Sequence, residues 1–295
     1  MRVFVTGATG FVGSAVVKEL LDHGHSVLGL TRSDAGAEKL TALGATAFRG
    51  DLDDLGSLQS GAASCDAVIH TAFDHDFSRY VENCEKDRRV IRAMGSVLAG
   101  SNRPMIVTSG IALLRADRPL VESDTVSGDI PRKASEEAAA EIAADGVNIS
   151  VMRLPPSVHG VGDHGFVPLL INLAREKGFV ACVEDGDNLW PAVHRLDAAR
   201  AYRLAIEDRA SQPAYHAVAE EGVAFADIAH TISVGLGLPF KSLTPEQAHD
   251  YFGWFTHFAA IDCCASSGRT QQVLGWTPRE ISLIEDMQTA GYFDV

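Results

Sequence analysis

The stretch Thr6-Gly7-Ala8-Thr9-Gly10-Phe11-Val12-Gly13 decides the fold. Before it, Val3-Phe4-Val5 is a short apolar run of strand type. After it, Val12, Ala15, Val16, Leu20 and Leu21 recur at helical spacing until Gly24. A glycine-rich turn from strand to helix brings free helix N–H groups and the positive dipole end to the loop, which suits a pyrophosphate. Gly7 permits the tight turn, Gly10 lets the backbone approach the phosphates, and Gly13 lets helix and strand pack closely. Gly7, Thr9, Gly10, Phe11, Val12 and Gly13 are therefore expected to hold a dinucleotide.

Outward from the loop, residues 26–31 and 45–49 read as the second and third strands, with a helix over 35–43 closed by Gly44. Residues 67–71, 105–108 and 149–153 read as three more strands, and 77–100 and 133–144 as helices. This alternation predicts an α/β protein with a Rossmann-type doubly wound parallel sheet. After Arg153 the rhythm breaks at Pro155, Pro156, Gly160, Gly162, Gly165 and Pro168. The reading assigns residues 1–155 plus 193–222 to the dinucleotide-binding domain. It assigns 156–192 plus 223–295 to a smaller C-terminal substrate lobe.

The chain has 295 residues, of which 46% are hydrophobic, enough for a sizeable core. Its net charge of −14 is spread along the sequence, which argues against nucleic acid or an anionic membrane as partner. Any phosphate site must be built locally against that field. No membrane-spanning run and no signal-peptide pattern is visible, and the five cysteines lack metal-ligand spacing. A reduced, cytoplasmic protein without a metal, acting on a small-molecule substrate, is expected.

The second strand ends Leu30-Thr31-Arg32-Ser33, with no carboxylate before Asp34. Arg32, with Ser33 beside it, suits a 2′-phosphate, so NADP is expected over NAD; otherwise Arg32 is a solvated surface residue. In Gly50-Asp51-Leu52, Asp51 either bonds the adenine amino group, with Leu52 packing nearby, or caps the next helix.

These motifs resemble the extended or atypical branch of the short-chain dehydrogenase/reductase superfamily, the NAD(P)-dependent epimerases, dehydratases and reductases. Further matches are Val68-Ile69-His70-Thr71-Ala72, Val107-Thr108-Ser109, the run from Arg153 through Pro155-Pro156-Ser157-Val158-His159 to Gly160, and Val193-His194-Arg195-Leu196-Asp197-Ala198-Ala199. The resemblance implies that Thr71, Ala72, Pro155, Ser157 and Val158 border the cofactor. It also implies a catalytic Ser, a Tyr, and a Lys four residues after the Tyr. Here the sequence departs. With Lys133 in the lysine position the tyrosine position holds Asp129; with Arg132 there it holds Gly128. Lys133 either binds the nicotinamide ribose or is solvated. Ser109 lies one residue before the serine position, which holds Gly110.

The proton must then come from elsewhere. His159 and His164 follow the segment implied to contact nicotinamide, and Tyr80 opens the helix after the fourth strand. Ser109, His159, His164, Trp190 and His194 are candidate substrate contacts; Trp190 either meets an apolar substrate or anchors its lobe. Phe252, Trp254, Phe255 and Phe258 read as core packing. The expected function is an NADP(H)-dependent reductase or dehydrogenase of a small carbonyl, imine or related compound. The alternatives are a non-redox cofactor-binding sensor or an isomerase or epimerase. Relatives dimerise through two long helices, here 77–100 and 133–144.

Overall fold

A computed structural model describes residues 1–294. Strands and helices alternate as β1 (Arg2–Thr6), α1 (Phe11–Asp22), β2 (Ser26–Thr31), α2 (Asp34–Leu43), β3 (Thr46–Arg49), α3 (Leu55–Ala63), β4 (Ala67–His70), α4 (Tyr80–Ser96), β5 (Met105–Gly110), α5 (Ala134–Ala144) and β6 (Ile149–Leu154). The chain continues through β7 (Ser157–His159), α6 (Phe166–Lys177), β8 (Val180–Val183), β9 (Leu189–His194), α7 (Arg195–Glu207) and β10 (Ala214–His216). It closes with β11 (Glu220–Ala224), α8 (Phe225–Leu236), β12 (Phe240–Leu243), α9 (Pro245–Phe252), α10 (Thr256–Ala260), α11 (Gly268–Leu274) and α12 (Leu283–Thr289).

Seven strands form one parallel sheet in the order β10-β6-β5-β4-β1-β2-β3. The order reverses beside β1, and this switch point places the ligand crevice at the carboxyl ends of β1 and β4. Because alternate strand residues face opposite ways, Val3 and Val5 enter a core with α1 and α7, whereas Phe4 enters a second core with α3, α4 and α5. The central strands β1 and β4 are almost wholly buried because both faces are covered, while the edge strand β3 is partly exposed.

The smaller lobe is built on the β11-β9-β7 sheet and the β12-β8 pair. Its core gathers Trp190, Phe225, Phe252 and Phe255. The segment after residue 223 does not stay in this lobe. Leu274 and Trp276 pack with α1 and α7, and the Trp276 indole N–H donates to the Asp197 carbonyl at 3.0 Å. The helix expected from residue 77 begins with a tight single turn over Phe77–Arg79 and becomes α-helical at Tyr80. No helix among the described residues is long and apolar enough to cross a membrane.

Candidate active site

The glycine loop is shaped by what surrounds each glycine. Gly7 has φ +68, and a Cβ there would lie 2.7 Å from the Ala72 nitrogen. A Cβ on Gly13 would lie 2.0 Å from the Gly7 carbonyl oxygen, so this glycine seats α1 on the loop itself. Gly10 differs: its Cβ would approach only the Gly7 oxygen, at 3.2 Å, so its other side is open. Gly10 caps α1 with no side-chain bond, and the first turn carries no acidic residue. The N–H groups of Phe11 and Val12 thus begin a helix whose positive end is unneutralised, which fits a pyrophosphate. Thr9 lies on the same loop. Thr71 donates from Oγ1 to the Thr6 carbonyl at 2.8 Å, and the Ala72 N–H reaches Thr6 Oγ1 at 3.4 Å. These bonds tie the ends of β1 and β4 together as one wall of the crevice.

At the adenosine end, the Arg32 side chain is 80% exposed, its Nε 3.8 Å from Asp51. Ser33 caps α2 through Gly36, and Asp34 pairs with Arg49. Asp54, not Asp51, caps α3. Asp51 accepts only the Asp53 N–H, at 2.9 Å, and half-buried Leu52 packs beside the core.

Across the crevice, neighbouring cations part company. Lys133 lies on the outer surface between the Gly128 carbonyl, 3.2 Å away, Asp129 and Glu137. Arg132 turns inward. It donates to Asp87 at 2.7 Å, to the Thr108 carbonyl at 3.3 Å and to Ser135, and its guanidinium sits 4.0 Å above the Phe73 ring. Of the two readings of Lys133, this placement favours the solvated one, and Arg132 is the cation turned toward Phe73. Asp129 is fully exposed and Gly128 forms a left-handed turn at φ +83, so neither puts an acid in the crevice.

Beneath Arg132 runs a buried chain of polar groups. Thr6 Oγ1 meets His70 Nδ1 at 2.6 Å, and His70 Nε2 meets Asp87 at 2.8 Å. Burial would raise the Asp87 pKa, but Arg132 and His70, with bonds from His70 and Ser135, outweigh it and hold the carboxyl far below its usual range.

Several expected contacts face elsewhere. Ser109 is buried and donates to Glu136 at 2.8 Å, inside the Glu136–Arg153 ion pair. Strand alternation puts it on the face opposite Thr108 and Gly110. His159 is 1% exposed; its Nδ1 is 2.9 Å from Asp286 and its ring meets His194 edge-on. Burial lowers its pKa despite Asp286. His194 accepts the Leu196 N–H and so caps α7. Trp190 is fully buried, donating to the Phe258 carbonyl at 3.1 Å. Pro155 and Ser157 are buried and Val158 half-buried.

Near the glycine loop and Arg132 lie His164, His75, Tyr80 and an aromatic set. His164 is exposed, its ring 5.7 Å from Phe11 at the glycine loop. His75 is close enough to His164 and Arg132 to feel both charges; crowding by protein, then Arg132, lowers its pKa. Tyr80 is half-buried; burial pushes its phenol up to about 12, while Arg132 pulls the other way. Phe73 lies 6.5 Å from Tyr80, and Phe77 stacks on Trp254 of the smaller lobe at 4.8 Å. Trp254 is 56% exposed, so it borders the mouth rather than filling the core. Phe73 and His75 went unassigned as site residues in the sequence because no motif marks them, and Arg132 entered only as an alternative register of the lysine position.

Comparison with known proteins agrees with this geometry. Residues 3–96 match the model of the NAD dependent epimerase/dehydratase family. The chain is 48% identical over 295 residues to an uncharacterized Schizosaccharomyces pombe protein, covering 99% of this chain and 100% of that one. It is 30% identical over 255 residues to a 2-alkyl-3-oxoalkanoate reductase of Stenotrophomonas maltophilia, covering 82% of this chain and 73% of the reductase. Its fold is similar to the crystal structure of a UDP-glucose-4-epimerase from Stenotrophomonas maltophila with bound NAD, at TM-score 0.77 and 19% identity, over 99% and 98% of the two chains. With its glycine loop, parallel sheet and crevice in place, the chain belongs to the NAD dependent epimerase/dehydratase family, within the NAD(P)-binding short-chain dehydrogenase/reductase superfamily.

Proposed function

We propose that this chain is an NADP(H)-dependent reductase or dehydrogenase of a small carbonyl or imine compound, using Tyr80 and Arg132 in place of the family's Tyr and Lys. The reading rests on Arg132, an inward cation fixed by Asp87 and sharing the Phe73 wall with Tyr80. The oxoalkanoate reductase among the relatives supports a carbonyl substrate. Arg32, with no carboxylate at the end of β2, supports NADP over NAD.

Bound NADPH supplies a hydride at the nicotinamide. The chain must supply the proton and stabilise the charge. Tyr80, its phenol raised to about 12, keeps its proton through the physiological range and gives it up as the substrate oxygen gains negative charge. Arg132 then faces the phenolate as a fixed positive charge, since a guanidinium does not deprotonate. Phe73, Phe77 and Trp254 exclude water and favour an apolar or flat substrate. Replacing Tyr80 by Phe should cut turnover by roughly 100-fold or more with NADPH affinity unchanged. Wild-type turnover should be flat from about pH 6 to 9, below the range where the raised phenol titrates. Full turnover in Tyr80→Phe, with loss in His164→Ala and an ionisation between about pH 6 and 8, would move the role to His164. A second reading, a non-redox cofactor-binding protein, draws on the outward Asp129 and the Gly128 turn; it predicts NADPH binding with no oxidation by any carbonyl or imine.

A further inference from the structure

We propose that Arg195 is a second clamp on the pyrophosphate, reaching from the start of α7 over the glycine loop at the start of α1. This rests on the NAD(P)-binding reading of the loop, not on the reductase reading. α1 leads into β2 and α7 into β10, and both strands belong to one parallel sheet. The two helices therefore begin at the same carboxyl edge. Their first residues meet: the Arg195 guanidinium carbon lies 5.1 Å from the centre of the Phe11 ring. Gly160 makes room for it, since a Cβ there would sit 3.1 Å from Arg195 Cγ and 2.9 Å from His194 Nε2.

Arg195 combines a place beside the glycine loop with the absence of an ion pair among the described residues. Its Nε is buried without a partner. Among the described residues, Arg132 is held by Asp87, Arg153 by Glu136, Arg200 by Asp197 and Arg203 by Glu19, and no such pair forms at Arg195. A cation in the first turn of a helix is also opposed by the dipole of α7 and by the neighbouring positive end of α1. Two helix N-termini and a guanidinium thus converge beside a loop shaped for phosphates, in a chain of net charge −14. α7 is capped by His194 and carries Asp197 in its first turn, so the unneutralised groups here are the α1 end and the guanidinium; an anion relieves both, and a guanidinium fork matches phosphate oxygens two at a time. Ser157 Oγ and His159 Nε2, buried nearby on β7, also lack protein partners, so this junction holds polar capacity the chain itself leaves unused.

The test separates pyrophosphate from the rest of the cofactor. Arg195→Met keeps an apolar stem over Phe11 and removes the charge. Dissociation constants would be measured by titration for NADPH, NADH, ADP-ribose and adenosine 2′-phosphate. The expected result is a roughly 10- to 100-fold loss for the three ligands with a pyrophosphate and none for adenosine 2′-phosphate, with Arg195→Lys recovering part of it. Unchanged affinities, or an equal loss for adenosine 2′-phosphate, would overturn the proposal. Failure of the wild type to bind any of the four would overturn it together with the NADP reading. Turnover plays no part in this measurement, so absence of NADPH oxidation would count against the reductase reading alone.

Discussion

Arg132 and Lys133 are adjacent in sequence and opposite in surroundings. One step along the 3-10 turn Pro131–Lys133 rotates a side chain by about 120°, enough to send one cation to Asp87 and the other to solvent. Nothing in Ile130-Pro131-Arg132-Lys133 marks which faces inward, because the deciding carboxylate stands 45 positions earlier. The surroundings of His159 depend on distant sequence in the same way: its partner Asp286 lies 127 positions later, and the ring is buried. The glycine loop was legible because its requirement is local and contiguous, two glycines between a strand and a helix and a third in the first turn of that helix. Arg32 is likewise local, at the end of β2. Arg32→Ala should weaken NADP(H) by about 1–3 kcal/mol, the scale of a charge-assisted bond, and leave NAD(H) nearly unchanged. Competitive titration with both cofactors checks this, and equal losses would refute the 2′-phosphate role.

At the scale of elements, the strands and their order follow from apolar runs separated by helical spacing, and β2 matches its expected bounds. The mutual bracing of α4, α5 and β4 was not legible, because it runs through polar side chains. Asp87 on α4 joins His70 at the end of β4 to Arg132 and Ser135 before and in α5. Removing one partner from such a buried network leaves uncompensated charge, which typically costs about 3–5 kcal/mol. Asp87→Asn should therefore lower stability on that scale in denaturant unfolding at pH 7. The pH dependence has a fixed sign. The folded Asp87 pKa lies below an unfolded value of about 3.9, so its contribution is complete above that pH and is lost as pH falls towards the folded value. The variant should thus lose less stability than the wild type on acidification below about pH 4. Parallel acid profiles would show that the network carries no such charge linkage.

Across the whole molecule, the seven-stranded sheet and the smaller lobe are joined by contacts between distant segments. Trp254 reaches from the lobe to Phe77, and the chain then returns through Leu274 and Trp276 to brace α1 and α7. That return leaves no boundary signature in the sequence, because its cost and benefit lie in packing between distant segments. Against an acidic surface, the proposed cofactor and proton roles draw on local cations, Arg32, Arg132 and Arg195. The central claim is that hydride passes from NADPH to a carbonyl or imine carbon in this crevice. The most direct measurement supplies NADPH carrying deuterium at the transferable nicotinamide position, with a panel of carbonyls and imines, and weighs the products by mass spectrometry. The account predicts a product one mass unit heavier than that formed with unlabelled NADPH, with the label on the former carbonyl or imine carbon and far less of it from Tyr80→Phe. Labelled NADPH recovered intact from the saturated wild type across the whole panel would contradict it.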